Sequence, residues 1–181
     1  EIKIGQKWET DQDWVVFRLG ETLMMKAECL LRLGGYNGET EEDAARLVTQ
    51  VRARAFKDNP EKATRTVAQL KGGSVYKYGH RENTAKQDEP DNWVTTEEGG
   101  ADIILGGLLD DLAWEFVAEH HRRQDLIRFR MTNGQNVFNG KSWFCKDRKE
   151  DVNDNHCDIF PIHKTFLEGN LKLKQNPGYG G

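Results

Sequence analysis

Aromatic and polar side chains occur together in two loop-rich parts of the chain, where they could bind a sugar. Flat rings stack on the apolar C–H faces of sugars, while aspartate, asparagine and arginine bind the hydroxyl groups. The candidate glycan-binding residues are Tyr76, Tyr78, Asp91, Asn92, Trp93 and Trp143. Spacing of two residues predicts that the tyrosines share one face of a strand. An alternative stays open, in which these rings seal the loops onto helices.

Six charged residues are instead predicted to form structural ion pairs: Glu115, Glu119, Arg122, Arg123, Asp125 and Arg128. The two glutamates are four residues apart and so share one helix face, where we expect them to pair with the following arginines or other cations. A glycosidase instead needs two carboxylates that flank the scissile bond from opposing surfaces, so a pair on one helix face is not predicted to be catalytic. The last two residues of the set are expected to form a partly buried salt bridge at the helix end.

Catalytic and metal-binding patterns are weak. Ser74 and Ser142 are the two serines, and neither lies in a G-x-S-x-G turn. His120 and His121 are adjacent on a predicted helix and diverge by about 100°, so no metal site is predicted. Residues 151–155 begin like a calcium loop but lack the glycine and the bidentate glutamate that follow. No cofactor is therefore predicted, with structural calcium left open in that loop.

The three cysteines are too few and too scattered for a disulfide framework. Cys29 lies within a helical pattern and is predicted to be a small core residue. Cys145 and Cys157 flank a loop and could pair in an oxidising compartment. That pairing stays open, because a disulfide depends on geometry that a sequence does not give.

Residues 14–56 are predicted to form a helical hairpin. Apolar residues recur at helical spacing from Phe17 to Leu33, and Gly34 then favours a left-handed end. Thr40 is a candidate N-cap for a second amphipathic helix. The pair is typical of a tetratricopeptide-like repeat. A single repeat cannot bury its own faces, so neighbouring helices are expected.

The rest of the chain is predicted in three segments. Residues 57–106 form a loop-rich excursion, with a short helix near 61–70 and a strand over 74–78. Residues 107–130 form a long helix. Residues 131–181 form loop and tail, with turns at the two Asn-Gly dipeptides 133–134 and 139–140 and a short helix near 164–168. The predicted fold class is mostly α, with long loop-rich excursions and a few short strands. Trp8, Trp14 and Trp114 are expected to pack within or beside the helices.

Composition excludes several classes of function. The 181 residues carry a net charge of −4, so a concentrated positive field for nucleic acid is not expected. No apolar run reaches the ~20 residues of a membrane helix, and the first residues lack a signal sequence. The chain begins at Glu1 rather than Met, with strand-like alternation over residues 1–4. It is therefore expected to be a fragment.

Four segments resemble the SusD/RagB family. Residues 18–28 read RLGETLMMKAE and resemble its R-x-A-E-x-L-L-x-x-A-E-A helix. Residues 51–55 read VRARA and resemble its N-x-V-R-x-R-A. Residues 114–129 read WEFVAEHHRRQDLIRF and resemble its E-x-A-x-E-G-x-R-x-x-D-L-I-R-W. Residues 160–162 and the tail QNPGY at 175–179 are similar to its closing P-I-P and Q-N-P-G-Y.

The resemblance implies that 1–181 is the C-terminal part of a single SusD/RagB-like domain, with the missing material upstream. It implies a tetratricopeptide-like scaffold whose loops bind glycan. It also implies a Bacteroidetes lipoprotein on the outer-membrane surface, tethered by an N-terminal lipid and partnered with a SusC-like TonB-dependent transporter for nutrient uptake. Alternatives are a peptide-binding member of the family and a helical-repeat interaction scaffold, whereas an enzyme is disfavoured. His120 replaces the motif's glycine and is expected to alter packing there.

Overall fold

The structure is mostly helical. The computed structural model describes residues 16–83, 93–141 and 155–180. For residues 79–83 and 93–97 it describes the backbone alone. Its helices are α1 (Leu19–Leu33), α2 (Glu41–Ala53), α3 (Pro60–Ala63), α4 (Val67–Lys71), α5 (Gly106–Glu115), α6 (Arg122–Arg128), α7 (Val137–Gly140) and α8 (Lys164–Gly169). The antiparallel hairpin of β1 (Gly79–Asn83) and β2 (Trp93–Glu97) pairs Gly79 with Glu97. The predicted mostly α class is confirmed.

Helices α1 and α2 form the predicted hairpin. Gly34 ends α1 in the left-handed conformation at φ 71°. Thr40 caps α2 reciprocally, since its hydroxyl accepts from the Asp43 amide and its own amide donates to the Asp43 carboxylate at 2.7 Å. Ala27 and Ala44 are fully buried, and such small residues let two helices approach closely. Cys29 is exposed, so its predicted core position is wrong: it is not among the buried residues of α1.

The excursion after the hairpin differs from its prediction in two ways. The helix expected near 61–70 is two short helices, α3 and α4, because Thr66 starts α4 with its own capping box. The strand expected over 74–78 is absent; Ser74 makes one isolated bridge to Gly100, and β1 begins only at Gly79. At Gly107 an added Cβ would lie 2.0 Å from the Gln69 carbonyl oxygen, so glycine is needed where α5 meets α4.

The long helix predicted over 107–130 is wrong. It is two helices, α5 and α6, separated by residues 116–121, in which Ala118 and His120 both have a φ of 64°. Phe116 and Leu126 are both buried. Ten residues of continuous helix turn through about 1000°, which would leave the second side chain about 80° off the first. The break therefore lets both side chains reach the core.

One apolar core joins α1, α2, α4, α5, α6 and α7. Asn133-Gly134 forms the predicted turn, with Gly134 at φ 87°, whereas Asn139-Gly140 ends α7 instead of forming a turn. The short helix predicted near 164–168 is present as α8, which buries no residue. Among the described residues, no helix has the length and apolar character needed to cross a membrane.

Candidate functional site

Most of the predicted glycan-binding residues fall outside what the structure describes. Asp91, Asn92 and Trp143 lie beyond the described residues, and Trp93 begins β2 without a described side chain. Their role in binding a glycan stays a prediction.

Tyr78 is a core residue rather than a ligand-binding ring. Its side chain is 4% exposed, and its hydroxyl accepts a hydrogen bond from Arg122 Nη2 at 3.0 Å. A buried ring offers no face to a sugar. Tyr78 is therefore not expected to contact a glycan. The predicted shared strand face is wrong as well, because Tyr76 and Tyr78 both precede β1.

A partly exposed aromatic surface, formed by Tyr76 and Trp114, is the strongest candidate site in the described structure. The two rings meet edge to face, with centroids 6.1 Å apart and planes at 80°. Trp114 is 44% exposed, whereas the sequence predicts that it packs within or beside the helices. Leu112 of α5 and Phe116, directly after this helix, belong to its apolar stripe, and position 114 lies between them on another face. That offset was the signal that sequence reasoning missed.

Two arginines hold the Trp114 ring in place. The guanidinium carbons of Arg52 and Arg65 lie 5.3 and 5.6 Å from the ring centroid. Both arginines bind the carboxylate of Asp111, which is 2% exposed. Burial lowers the pKa of the Arg52 guanidinium. One carboxylate therefore gathers two cations against the indole, and such cation–π contacts restrict the ring.

Asp110 fixes the backbone that carries Tyr76. Its carboxylate is 1% exposed and accepts hydrogen bonds from the Ser74 hydroxyl and, at 2.8 Å, from the Val75 amide. The Ser74 hydroxyl oxygen in turn accepts from the Tyr76 amide at 3.2 Å. Burial raises the pKa of the Asp110 carboxyl. Burial, together with the nearby Asp110, also raises the pKa of Tyr76.

Arg122 lies beside Tyr76 and does not form the ion pair predicted for it. Its guanidinium donates to the Leu109 carbonyl at 3.1 Å and to the Tyr78 hydroxyl, and its central carbon lies 5.8 Å from the Tyr76 ring centroid. Within the parts of the chain that the structure describes, no carboxylate forms an ion pair with it. Its contacts therefore leave a cation at the edge of the aromatic surface.

Glu115 and Glu119 bind Arg18, the residue directly before α1, rather than Arg122 or Arg123. Arg18 reaches Glu119 through two nitrogens at 2.7 and 2.8 Å, and Glu115 at 2.6 Å. Arg54 adds a contact to Glu115. The hydrogen bonds that Arg18 donates hold the pKa of Glu119 below its usual range, and because Glu119 and Glu115 accept them, the pKa of Arg18 is raised. This arrangement ties the start of α1 to the break between α5 and α6.

A salt bridge joins Arg128 Nη2 to Asp125 Oδ1 at 2.8 Å at the end of α6. Arg128 also reaches Glu28 of α1 at 2.7 Å. Burial raises the pKa of the Asp125 carboxyl despite that partner. These three residues form a second charged link between α1 and α6.

Arg123 connects α6 to the C-terminal segment, residues 155–180. Its guanidinium donates to the Cys157 carbonyl at 2.6 Å and lies 4.1 Å from the Phe160 ring centroid. Asp158 accepts from the amides of Asn136 and Asn139, each at 2.8 Å. The segment is thus joined to the core by polar contacts.

The Gln-Asn-Pro-Gly-Tyr tail folds back on its own segment. Gln175 exchanges two hydrogen bonds of 2.8 Å with the backbone of Ile162, and the Tyr179 hydroxyl donates to the Ile159 carbonyl at 2.7 Å. Gly178 has φ 89°, and an added Cβ would lie 2.3 Å from His156 Cβ. The tail residues accordingly have structural roles, although a cavity of about 370 Å³ lies between them and His156.

A larger open groove of about 750 Å³ runs between α2 and the stretch leading into α4. Small side chains form part of its lining: Ala45, Thr49, Ala53, Thr64, Thr66 and Ala68. Small residues in a groove allow another backbone to approach closely.

The described residues contain no group of three His, Cys, Asp or Glu side chains that could hold a metal ion. The acidic loop 151–154 and Cys145 lie outside the described residues, so the described structure tests neither a calcium ion in that loop nor a disulfide between Cys145 and Cys157. The calcium and disulfide alternatives therefore stay open.

Comparison with known proteins explains the motifs. The model of the SusD family matches residues 3–179. The chain belongs to the SusD family. This family is known for glycan binding in nutrient uptake; its members are binding proteins rather than enzymes and are typically associated with the outer membrane. No curated protein and no solved structure matches the chain.

In this SusD-family chain, the charged residues of two motifs meet. Arg18 and Glu28 come from the first motif, and Glu119 and Arg128 come from the third. Their ion pairs join the start of α1 to the break after α5, and α1 itself to α6, so these four residues serve the scaffold. His120, at the motif's glycine position, has φ 64°, a conformation that glycine adopts without strain.

Proposed function

We propose that this protein is a cell-surface glycan-binding protein, which captures oligo- or polysaccharide for import by a TonB-dependent outer-membrane transporter. The observation that carries the proposal is the SusD family match over residues 3–179. The partly exposed Trp114 supports it, because an indole accessible to solvent suits stacking on a sugar ring.

The proposed glycan site combines loop residues with the described surface. Trp93 and Trp143 supply stacking rings in this proposal, Asp91 and Asn92 bind hydroxyl groups, and Tyr76 contributes from the described side. The proposal also includes a SusC-like transporter as partner and an N-terminal lipid as the tether to the outer membrane. Both rest on the family alone.

A second candidate function is peptide binding, or docking of another helical protein, as an interaction scaffold. The groove between α2 and α4 favours it, since the alanine and threonine side chains in its lining can admit a helix or an extended peptide. In that case the aromatic loops would contact protein rather than sugar.

Titration of the purified protein with a panel of polysaccharides, by affinity electrophoresis and calorimetry, separates these functions. Trp93→Ala and Trp143→Ala should each weaken binding to the glycan that the unmodified protein retains. Tyr36→Ala is the matched control, because Tyr36 is an aromatic residue 69% exposed in the turn between α1 and α2.

Two outcomes would contradict the glycan proposal. Tight binding to a peptide library, with no retention by any polysaccharide, would favour the scaffold. Release of shorter sugars from any polysaccharide would show an enzyme.

A further inference from the structure

We propose that Trp114, Tyr76 and Arg122 form a subsite for a sugar that carries a carboxylate, such as a uronic acid. This inference rests on the proposed function and names the class of sugar that it would accept. It assigns ligand binding to two residues, Trp114 and Arg122, for which the sequence predicted packing and an ion pair.

The stacking element is the indole of Trp114. Arg52 and Arg65 share one carboxylate, so their guanidiniums are held as one cluster against the ring. The side chain nevertheless remains 44% exposed. A ring held in one orientation loses little conformational freedom on binding, which favours stacking on a ligand.

Arg122 is the residue that would bind the carboxylate of the sugar. A guanidinium has five N–H donors, and the contacts to the Leu109 carbonyl and the Tyr78 hydroxyl occupy two of them. Asp110, the nearby acid, already accepts from Ser74 and Val75. The remaining donors suit a planar carboxylate, which arginine binds in a forked geometry.

Tyr76 contacts both Trp114 and Arg122. Its ring centroid is 6.1 Å from that of Trp114 and 5.8 Å from the Arg122 guanidinium carbon. Asp110 and Ser74 fix the backbone at this position. A short oligosaccharide can therefore stack on the indole and still bring a carboxylate to the arginine.

The test compares oligogalacturonate with a neutral galactose oligosaccharide of equal length, titrated into the full chain and its variants. Trp114→Ala should weaken binding of both sugars about tenfold, as expected for one lost aromatic contact. Arg122→Gln should weaken only the acidic sugar, about 10- to 100-fold, because a charged hydrogen bond is lost. Arg122→Lys should restore part of that affinity, and added salt should weaken the acidic sugar alone.

Trp114→Phe and Tyr36→Ala control for folding and for loss of an exposed ring elsewhere. Equal loss for both sugars in Arg122→Gln would overturn the carboxylate assignment, as would binding of neutral sugars alone by the unmodified chain. Unchanged affinity in Trp114→Ala, with glycan binding intact, would overturn the subsite but leave the proposed function standing. Absence of binding to every glycan in the panel would overturn both.

Discussion

At the scale of single residues, the buried Asp110 side chain is expected to contribute strongly to stability, because it accepts hydrogen bonds from Ser74 and Val75. Asp110→Ala removes the acceptor for the Ser74 hydroxyl and the Val75 amide, with Ser74 itself 7% exposed. Buried donors without an acceptor cost about 1–3 kcal/mol, so we expect a loss of about 2 kcal/mol in unfolding free energy. Urea denaturation measures it. Glu42→Ala, on an exposed position of α2, should change stability by less than about 0.5 kcal/mol; similar losses in the two variants would contradict this account.

The pH dependence of stability follows from three carboxyl groups. Burial raises the pKa of Asp110 and Asp125, so the native state binds their protons more tightly than the unfolded state does. Unfolding free energy should therefore fall as pH rises from the ordinary carboxyl range through these raised pKa values. The lowered pKa of Glu119 acts oppositely: its contribution is present above the unfolded pKa and is lost as pH falls through the folded one. Urea midpoints measured across pH should show both declines in stability, an acid limb at low pH and a second limb at higher pH.

Two variants separate the limbs. Asp110→Asn should flatten the decline at higher pH, and Glu119→Gln should flatten the acid limb. An unchanged profile in both variants would mean that other groups set the pH dependence.

At the scale of elements, the hairpin was predictable because its signals are local. The left-handed end at Gly34 and the N-cap at Thr40 each act within a few residues of where they stand. The break at 116–121 was not, since its residue Glu119 is bound by Arg18, which lies 101 residues away in sequence. Likewise, the exposed side of Trp114 depends on Arg52, Arg65 and Asp111, which no local pattern brings together.

The Arg18 contacts should determine whether that break keeps its shape. The side chains of Arg18, Glu115 and Glu119 are 23%, 11% and 30% exposed, which places the network between a surface pair and a buried one. We expect Arg18→Ala to destabilise the protein by about 2 kcal/mol and to raise amide hydrogen exchange over 116–121. Arg46→Ala removes a pair whose arginine is 76% exposed, and it should cost less than about 1 kcal/mol. Unchanged exchange in Arg18→Ala would contradict the link.

His120 gives a prediction of opposite sign. A left-handed conformation costs a non-glycine residue about 1–2 kcal/mol, and glycine loses part of that advantage through its unfolded-state entropy. With φ at 64°, His120→Gly should stabilise the protein by about 0.5–1 kcal/mol in denaturant titrations. His163→Gly, at φ −62°, is the control and should not stabilise. A destabilised His120→Gly would mean that the imidazole contacts outweigh the backbone strain.

At the scale of the whole molecule, the family could be predicted from the sequence, whereas the ligand site could not. Several residues of the matching motifs form the scaffold: the first and third motifs meet through Arg18 and Arg128, and the tail folds on its own segment through Gln175. Side chains that bind a ligand need only be exposed, and exposure follows from the packing of distant elements. Tyr78 illustrates this, since its position two residues after Tyr76 does not reveal that one ring is buried and the other is not.

The C-terminal segment makes the final prediction, because polar contacts rather than apolar burial hold it to the core. Its α8 buries no residue, while Asp158 accepts from Asn136 and Asn139. Asp158→Ala should therefore speed proteolytic cleavage after residue 155 several-fold, since local opening needs the loss of only a few bonds. The helical core before it should keep its thermal midpoint. Glu168→Ala, whose 65% exposed side chain pairs only with Lys164 in the described structure, is the matched control. If Asp158→Ala lowers the thermal midpoint of the whole protein without faster cleavage in the segment, then the segment unfolds together with the core rather than independently of it.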